Sequence, residues 1–216
     1  CLLDALVKHE CSRVVNAGTY WQFDEQGHSS PNTIYAATKT AFQSLLEYYC
    51  SRSGIQAISL ILYDVYGPDD WRRKFLTDIL MAGQAGEPLA ATAGDQKIGM
   101  CYIDDVIAGF ERAIDLVACN NHQPGDQTEH QTGFLTPSDF LSLREMAETL
   151  QALTPLPLDI EWGRVSYKEA QIMHPYTGGP TLSGWVPEKS LVEGLQSVLT
   201  AKGISLHQQI HTPAQM

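Results

Sequence analysis

Apolar and polar positions along the chain predict a helix, a strand, a long helix and a second strand within the first 65 residues. Apolar residues between 2 and 7 follow a helical spacing, and the run RVVNAGTYW at 13–21 is typical of a short buried strand that leads into a loop. The stretch from about 33 to 53 has helical spacing and is followed by Gly54, a residue suited to a helix C-terminus. The continuous apolar run at 57–63 is typical of a strand buried on both faces. In this order the elements predict a right-handed crossover in a parallel sheet.

Beyond residue 66 the pattern predicts shorter and more mixed elements. Helices are expected at 75–82, after Asp104, from Thr136 and at 188–201, and extended stretches at 88–93 and 158–162. In the sequence TPSD, Thr136 would cap a helix with Pro137 in its first turn. The polar stretches 119–131 and 207–216 predict an exposed loop and a frayed end. Three aromatic residues are expected to pack the core of this later part: Trp162, Tyr167 and Trp185.

Composition narrows the classes of partner and cofactor. A hydrophobic content of 44% fits a globular protein, and a net charge of −11 argues against nucleic acid or an anionic membrane as a main partner. No apolar run reaches the length of a membrane span. Five cysteines without a CxxC spacing, and no HExxH motif, favour reduced, buried thiols in a cytoplasmic protein without a metal site. The chain begins at Cys1 within a helical pattern, which suggests a fragment of a longer protein.

The long predicted helix carries the clearest candidate for acid–base chemistry. Tyr35 and Lys39 are four residues apart, so their side chains share one face of the helix. An ammonium group beside a phenol favours the phenolate form, and such a tyrosine can exchange a proton with a substrate hydroxyl or carbonyl. Thr19 and Asp64 follow the two predicted strands, at the sheet edge where ligands of open α/β folds bind. Thr19 has a second interpretation, as a strand-end hydroxyl bonded to local backbone, and Asp64 has one as a turn residue.

Five motifs, in order over about 200 residues, resemble the extended short-chain dehydrogenase/reductase family that acts on nucleotide sugars. They are GTYW after the first strand, the YAATK helix, LYDVYGP, YIDDV and GWVPEKSLVEGL. The wording of NAGTYWQ, YAATK and WGRVSY is most similar to the 4-ketoreductase branch to which abequose synthases belong. The resemblance implies an α/β fold: the second half of a Rossmann-like parallel sheet at 1–66, with part of 100–120, and a mainly substrate-binding, mixed α/β region at 67–216.

The resemblance also implies an oxidoreductase, of ketoreductase, epimerase or dehydratase type, and assigns roles to particular residues. Thr19, Tyr35 and Lys39 match the catalytic residues of the family. Tyr35, Lys39 and Val65 would contact the cofactor, NAD or NADP. Asp64, Arg72 and Arg73 would contact a nucleotide-sugar substrate, and a homo-oligomer is the expected assembly.

Two departures from the family pattern leave an alternative open. The glycine-rich GxxGxxG turn that binds the pyrophosphate of the cofactor does not occur in these 216 residues. Ile98 stands where many members have a phosphate-binding arginine, and the run Arg72 to Lys74 is either its substitute or a solvated basic segment. The alternative is therefore an inactive fragment, or a structural partner that completes its sheet with another chain. Asp104 and Asp105, which come before an apolar helix, are expected to cap that helix rather than bind a metal.

Overall fold

The computed structural model describes residues 2–119 and 130–207, and these residues form an α/β fold. The helices are α1 (Leu2–Lys8), α2 (Ile34–Ser53), α3 (Phe75–Ala85), α4 (Ile103–Cys119), α5 (Leu143–Leu153) and α6 (Leu191–Ala201). The strands are β1 (Arg13–Thr19), β2 (Gln56–Leu62), β3 (Asp64–Tyr66), β4 (Leu89–Ala90), β5 (Lys97–Tyr102), β6 (His130–Leu135), β7 (Phe140–Ser142) and β8 (Ile160–Glu161). One turn of 3-10 helix covers Tyr20–Gln22.

A parallel sheet with the strand order β1-β2-β6 confirms the predicted crossover. Val14 pairs with Ala57 at the start of the two strands, and Thr19 pairs with Leu62 at their ends. Strand β6 continues the sheet in parallel on the far side of β2, where Thr132 pairs with Ser59. The carboxyl ends of β1 and β2 therefore lie side by side.

Strand β2 is buried on both faces, as its unbroken apolar run predicts. Ile58 and Leu60 pack in a cluster with residues of α4. Ala57 packs in a second cluster with residues of α1 and α2, and Ile61 packs in a third with aromatic side chains. Burial of each such aliphatic side chain contributes about 1.5–3 kcal/mol, so β2 is the centre of this part of the fold.

Helix α2 begins and ends where the sequence predicts. The hydroxyl oxygen of Thr33, the N-cap, accepts a hydrogen bond from the Ala36 N–H at 3.1 Å. Gly54 ends the helix with φ of 71°, a left-handed conformation that glycine adopts without the strain of a Cβ atom. These two ends fix the register of the helix that carries Tyr35 and Lys39.

The described residues fall into two compact units. Unit 1 contains the residues up to 65, 96–140 and 168–188, and unit 2 contains 66–95, 141–167 and those from 189 onward. The first boundary falls at residues 65 and 66. Two later stretches also belong to unit 1, and the sequence pattern does not mark the second of them, 168–188. Within unit 2, β4 pairs in parallel with β8, and α5 packs against α6.

Three predicted boundaries in the second half of the chain are wrong. Helix α5 begins after Ser142 rather than Thr136, because the Ser142 hydroxyl accepts from the Glu145 N–H while the Glu145 carboxylate accepts from the Ser142 N–H. The expected strand at 158–162 contains only the two residues of β8. The last helix begins at Leu191, after an equivalent capping box between Ser190 and Glu193.

The predicted loop at 119–131 and the predicted frayed end at 207–216 lie almost entirely outside the described residues. Cys119 ends α4, and His130 and Gln131 begin β6. The prediction of buried cysteines is correct for Cys50 and Cys101 but wrong for Cys11 and Cys119, which are exposed. All four of these cysteines are free thiols.

The three aromatic residues expected in the later part belong to different units. Trp162 and Tyr167 lie in unit 2, where the Trp162 ring lies 5.8 Å from the Phe75 ring and the Tyr167 hydroxyl accepts from the Asp95 N–H at 2.9 Å. The expectation for Trp185 is wrong, because this residue is buried in the unit 1 cluster beside α4.

Candidate active site at the strand ends of unit 1

Thr19 ends β1 and is held in place by a local capping box. Its backbone N–H donates to Gln22 Oε1 at 2.8 Å, and its hydroxyl oxygen accepts from the Trp21 N–H at 3.4 Å. Thr19 is buried. Both interactions fix the rotamer and the backbone of Thr19, as the local-bonding interpretation of this residue predicts.

Tyr35 and Lys39 lie on one face of the first two turns of α2. The ammonium nitrogen of Lys39 is 5.9 Å from the centroid of the Tyr35 ring and donates to the Ala17 carbonyl at 2.8 Å. Ala17 is two residues before Thr19 on β1, so this bond ties the helix to the end of the strand. The Tyr35 side chain is 53% exposed, and its phenol is accessible to a ligand.

Asp64 lies just beyond the end of β2 and accepts a hydrogen bond from the Tyr20 hydroxyl at 3.2 Å. The Tyr20 ring is stacked on the Tyr63 ring, with centroids 5.2 Å apart. Burial raises the pKa of Tyr20, and the charge of Asp64 raises it further, so this phenol stays protonated and acts as a hydrogen-bond donor. Sequence reasoning missed Tyr20, because its partner is 44 residues away along the chain.

The residues expected to bind cofactor and substrate differ in their surroundings. Val65 is partly buried and packs against the apolar cluster beside α4. Arg72 and Arg73 belong to unit 2, where each forms an ion pair with a carboxylate. Arg72 donates from Nε and Nη2 to the two carboxylate oxygens of Asp70, at 2.7 and 2.8 Å. Arg73 Nε donates to Asp78 Oδ1 at 2.5 Å.

Asp105 holds a distant segment of unit 1 against the start of α4. Its carboxylate accepts from the Glu188 N–H at 3.1 Å, and its backbone carbonyl accepts from the Trp185 indole N–H at 2.8 Å. Asp104 lies beside it in the first turn. Throughout residues 2–119 and 130–207, no group of three or more His, Cys, Asp or Glu side chains is placed to hold a metal ion.

The site fits one part of a nicotinamide dinucleotide. Tyr35 is accessible, and the Lys39 ammonium has three N–H donors, of which Ala17 uses one. These two side chains suit the hydroxyl groups of a nicotinamide ribose. The pyrophosphate half of the dinucleotide needs a glycine-rich turn, and this sequence contains no GxxGxxG.

Helix α2, with Tyr35 and Lys39 in its first two turns, is bonded to the end of β1 in a parallel α/β sheet. The NAD dependent epimerase/dehydratase family model matches residues 1–124. Because the match covers more than half of the sequence, this chain belongs to that family.

Curated relatives include two CDP-abequose synthases. The protein from Yersinia pseudotuberculosis is 30% identical over 164 residues, which cover 76% of this chain and 54% of the relative. The protein from Salmonella typhimurium (strain LT2) is 25% identical over 206 residues, which cover 92% of this chain and 65% of the relative. The chain thus spans between half and two thirds of the length of these relatives.

Solved structures share the fold at lower sequence identity. MoeE5 in complex with UDP-glucuronic acid and NAD is 20% identical, with a TM-score of 0.79 over 94% of this chain and 68% of that one. The UDP-glucose 4-epimerase of Thermus thermophilus, in complex with NAD, is 18% identical, with a TM-score of 0.73 over the same shares of the two chains.

The described helices of this chain include none that is long and apolar enough to cross a membrane.

Proposed function

We propose that this protein is a nicotinamide-dependent oxidoreductase of nucleotide sugars and that it reduces a 4-keto group. The observation that carries the proposal is the Tyr35–Lys39 pair, which the bond from Lys39 to Ala17 fixes at the end of the strand that carries Thr19. The similarity to CDP-abequose synthases supports the ketoreductase type. The proposed cofactor is NAD or NADP.

In the proposed reaction a carbonyl group becomes a secondary alcohol. When bound, a nicotinamide coenzyme would supply the hydride to the carbonyl carbon. Tyr35 donates its phenolic proton to the carbonyl oxygen, and the neighbouring Lys39 ammonium stabilises the phenolate that remains. Because Tyr35 is half exposed, water can return the proton after the product leaves.

Thr19 completes the site by holding the reacting oxygen. Its hydroxyl oxygen accepts from the Trp21 N–H, which leaves its O–H able to donate to a second acceptor, and we propose that this acceptor is the carbonyl oxygen of the sugar. A preorganised donor of this kind stabilises negative charge as it develops on the oxygen. Val65 is proposed to provide an apolar contact for the coenzyme.

We also propose which residues contact the nucleotide-sugar substrate. Asp64, held by Tyr20, would accept hydrogen bonds from sugar hydroxyl groups. Arg72 and Arg73 would bind the nucleotide phosphates after exchanging their carboxylate partners, Asp70 and Asp78, for phosphate oxygens.

The direct test is an activity assay on the full-length protein that the gene encodes. The protein would be mixed with a CDP- or UDP-linked 4-keto-deoxy sugar and NADH or NADPH. We expect loss of the 340 nm absorbance of the coenzyme, and one new hydroxyl-bearing carbon in the NMR spectrum of the sugar. Absence of turnover with every combination would contradict the proposal and favour the structural-partner alternative.

We also propose that the protein works in the cytoplasm as a homo-oligomer. The free thiols of Cys50 and Cys101 fit a reducing compartment.

The proposed assembly rests on surfaces of unit 1. Strand β1 lies at one end of the order β1-β2-β6, and Leu45 and Tyr48 on α2 are 52% and 60% exposed. Light scattering coupled to gel filtration should give a multiple of the chain mass, and Leu45→Glu should shift it towards the monomer. A monomer at micromolar concentration would contradict the assembly.

A further inference from the structure

Two side-chain amides connect the strand end of the proposed site to the helix that carries its tyrosine. Gln22 Oε1 accepts from the Thr19 N–H at 2.8 Å, and Gln22 Nε2 donates to Gln43 Oε1 at 3.1 Å. Gln43 lies on α2 one turn beyond Lys39, and its Nε2 donates to Glu47 Oε1 at 3.3 Å. The chain of bonds thus runs from the backbone of Thr19 across to α2 and along it.

Every donor in this chain points the same way, towards the Glu47 carboxylate. An amide has one acceptor oxygen and one donor nitrogen, and Gln22 uses both of them between two elements. Gln22 is 2% exposed, and its bond from the Thr19 N–H is buried, whereas the bond to Gln43 is partly buried and the bond from Gln43 to Glu47 is exposed. Loss of the Gln22 amide would therefore leave the buried Thr19 N–H unpaired.

Gly18 of β1 packs closely against the side-chain amide of Gln22. A Cβ atom added at Gly18 would lie 2.8 Å from Gln22 Oε1 and 2.6 Å from Ile61 Cδ1. Any larger residue at position 18 would therefore displace the Gln22 amide or the Ile61 side chain. This close contact restricts the position of the Gln22 amide relative to β1.

We infer that Gln22 is a positioning residue that sets the Thr19 hydroxyl relative to Tyr35. The inference rests on the proposed function, because it concerns the same site. Two separate bonds join the end of β1 to α2: Lys39 to Ala17, and Gln22 to Gln43. Because Thr19 is already paired with Leu62 in the sheet, the two bonds, one on either side of Gly18, fix the position of α2 relative to that strand end. A misplacement of about 1 Å costs a reaction roughly 10²-fold, so this restraint acts on turnover rather than on binding.

The experiment compares Gln22→Leu, Gln22→Glu and Gln151→Leu in the full-length protein. Leucine has a similar volume and forms no hydrogen bond, so Gln22→Leu should lower kcat roughly 10- to 100-fold and change KM less than threefold. Glutamate keeps an acceptor for the Thr19 N–H, and the Gln43 amide can rotate to donate to the carboxylate, so Gln22→Glu should lower kcat less than Gln22→Leu does.

Gln151 in unit 2 is the matched control, because its side chain also bridges backbone groups. Its amide bonds the carbonyls of Thr154 and Leu156 and the N–H of Leu158. Gln151→Leu should lower the urea midpoint of unfolding at least as much as Gln22→Leu, with kcat within twofold of the wild type. A loss of kcat in proportion to stability in both variants would overturn the positioning role.

Tyr35→Phe, assayed in parallel, separates the failure of this inference from the failure of the proposed function. If Tyr35→Phe is inactive while Gln22→Leu turns over at the wild-type rate, the positioning role is overturned and the proposed function stands. If Tyr35→Phe turns over normally, the proposed function itself is wrong.

Should Gln22→Leu fail to fold, Gln43→Leu removes the same bridge from a less buried position. A severalfold loss of kcat would then support the inference, and an unchanged kcat would overturn it.

Discussion

Two tyrosines near the proposed site, Tyr20 and Tyr35, differ in their surroundings. Tyr20 and Tyr35 both lie close to the end of β1, yet Tyr20 is buried and donates to Asp64, whereas Tyr35 is half exposed beside a lysine. Sequence spacing identified Tyr35, because its partner is four residues away on the same helix. The same reasoning missed Tyr20 and Gln22, because Asp64 and Gln43 become their neighbours only after the chain folds.

His130 is a partly buried histidine whose charge state should affect stability. Its Nε2 lies 3.0 Å from the Ser59 hydroxyl oxygen, which also accepts from Asn16 Nδ2 at 3.1 Å. The ring and the Ser59 hydroxyl thus share one hydrogen bond, whose donor depends on the tautomer of His130. Burial lowers the pKa of His130, and the Glu47 carboxylate, 3.6 Å from Nδ1, opposes this shift in part.

The lowered pKa gives a signed prediction for acid stability. The unfolded chain takes up a proton near pH 6.5, while the folded chain resists it, so the free energy of unfolding should fall as the pH drops below about 6.5. His130→Gln should flatten this fall between pH 7 and 5 in urea titrations. His174→Gln, at an exposed position, controls for the removal of a histidine. An unchanged slope in His130→Gln would contradict the prediction.

At the scale of the elements, the sequence predicted well those helices and strands whose ends carry one clear signal. Helix α2 has a single capping threonine and a single glycine, and both ends were predicted correctly. Helix α5 was misplaced because two start signals, TPSD and SLRE, stand within ten residues of each other. Only the second has a glutamate at the third helical position, where the longer side chain of Glu145 reaches back to the cap and closes the capping box. Phe140, between the two, packs against Tyr63 and belongs to β7 instead.

The cap of α2 should matter for the proposed site as well as for stability. Thr33 precedes Tyr35 by two residues, and its side chain accepts from the Ala36 N–H. Thr33→Val keeps the shape but removes this acceptor, and it should lower the free energy of unfolding by about 1 kcal/mol. Thr33→Ser keeps the acceptor and should stay within about 0.5 kcal/mol of the wild type. Equal losses in both variants, measured by urea unfolding, would show that the methyl group rather than the cap is responsible.

At the scale of the whole molecule, the sequence predicted the fold class but did not indicate that the stretch 168–188 belongs to unit 1. The βαβ pattern of the first 65 residues was sufficient for the parallel sheet. The stretch 168–188 has little regular structure, so no periodicity marks its return to unit 1. Leu182 and Trp185 anchor it by burial, and Asp105 binds its end through two hydrogen bonds. Contacts of this kind form between residues about 80 positions apart, which local patterns do not record.

Cofactor binding by the 216-residue chain expressed alone should be weak. The Tyr35–Lys39 pair offers contacts to one ribose, but the sequence contains no glycine-rich turn for the pyrophosphate. Titration calorimetry with NAD or NADP should therefore give a dissociation constant above about 1 mM, or no measurable heat. A micromolar constant would show that other residues of this chain bind the pyrophosphate.

Turnover of Tyr35→Phe in the full-length protein tests the central claim most directly. The substitution removes the transferable proton and leaves the ring in place, and general acid catalysis typically contributes 10²- to 10⁴-fold. We predict a fall in kcat of about that size on a nucleotide 4-keto sugar, with little change in KM. Tyr48→Phe, at an exposed position on the same helix, should turn over like the wild type. Near-normal turnover by Tyr35→Phe would contradict the claim, since the proton would then come from another group.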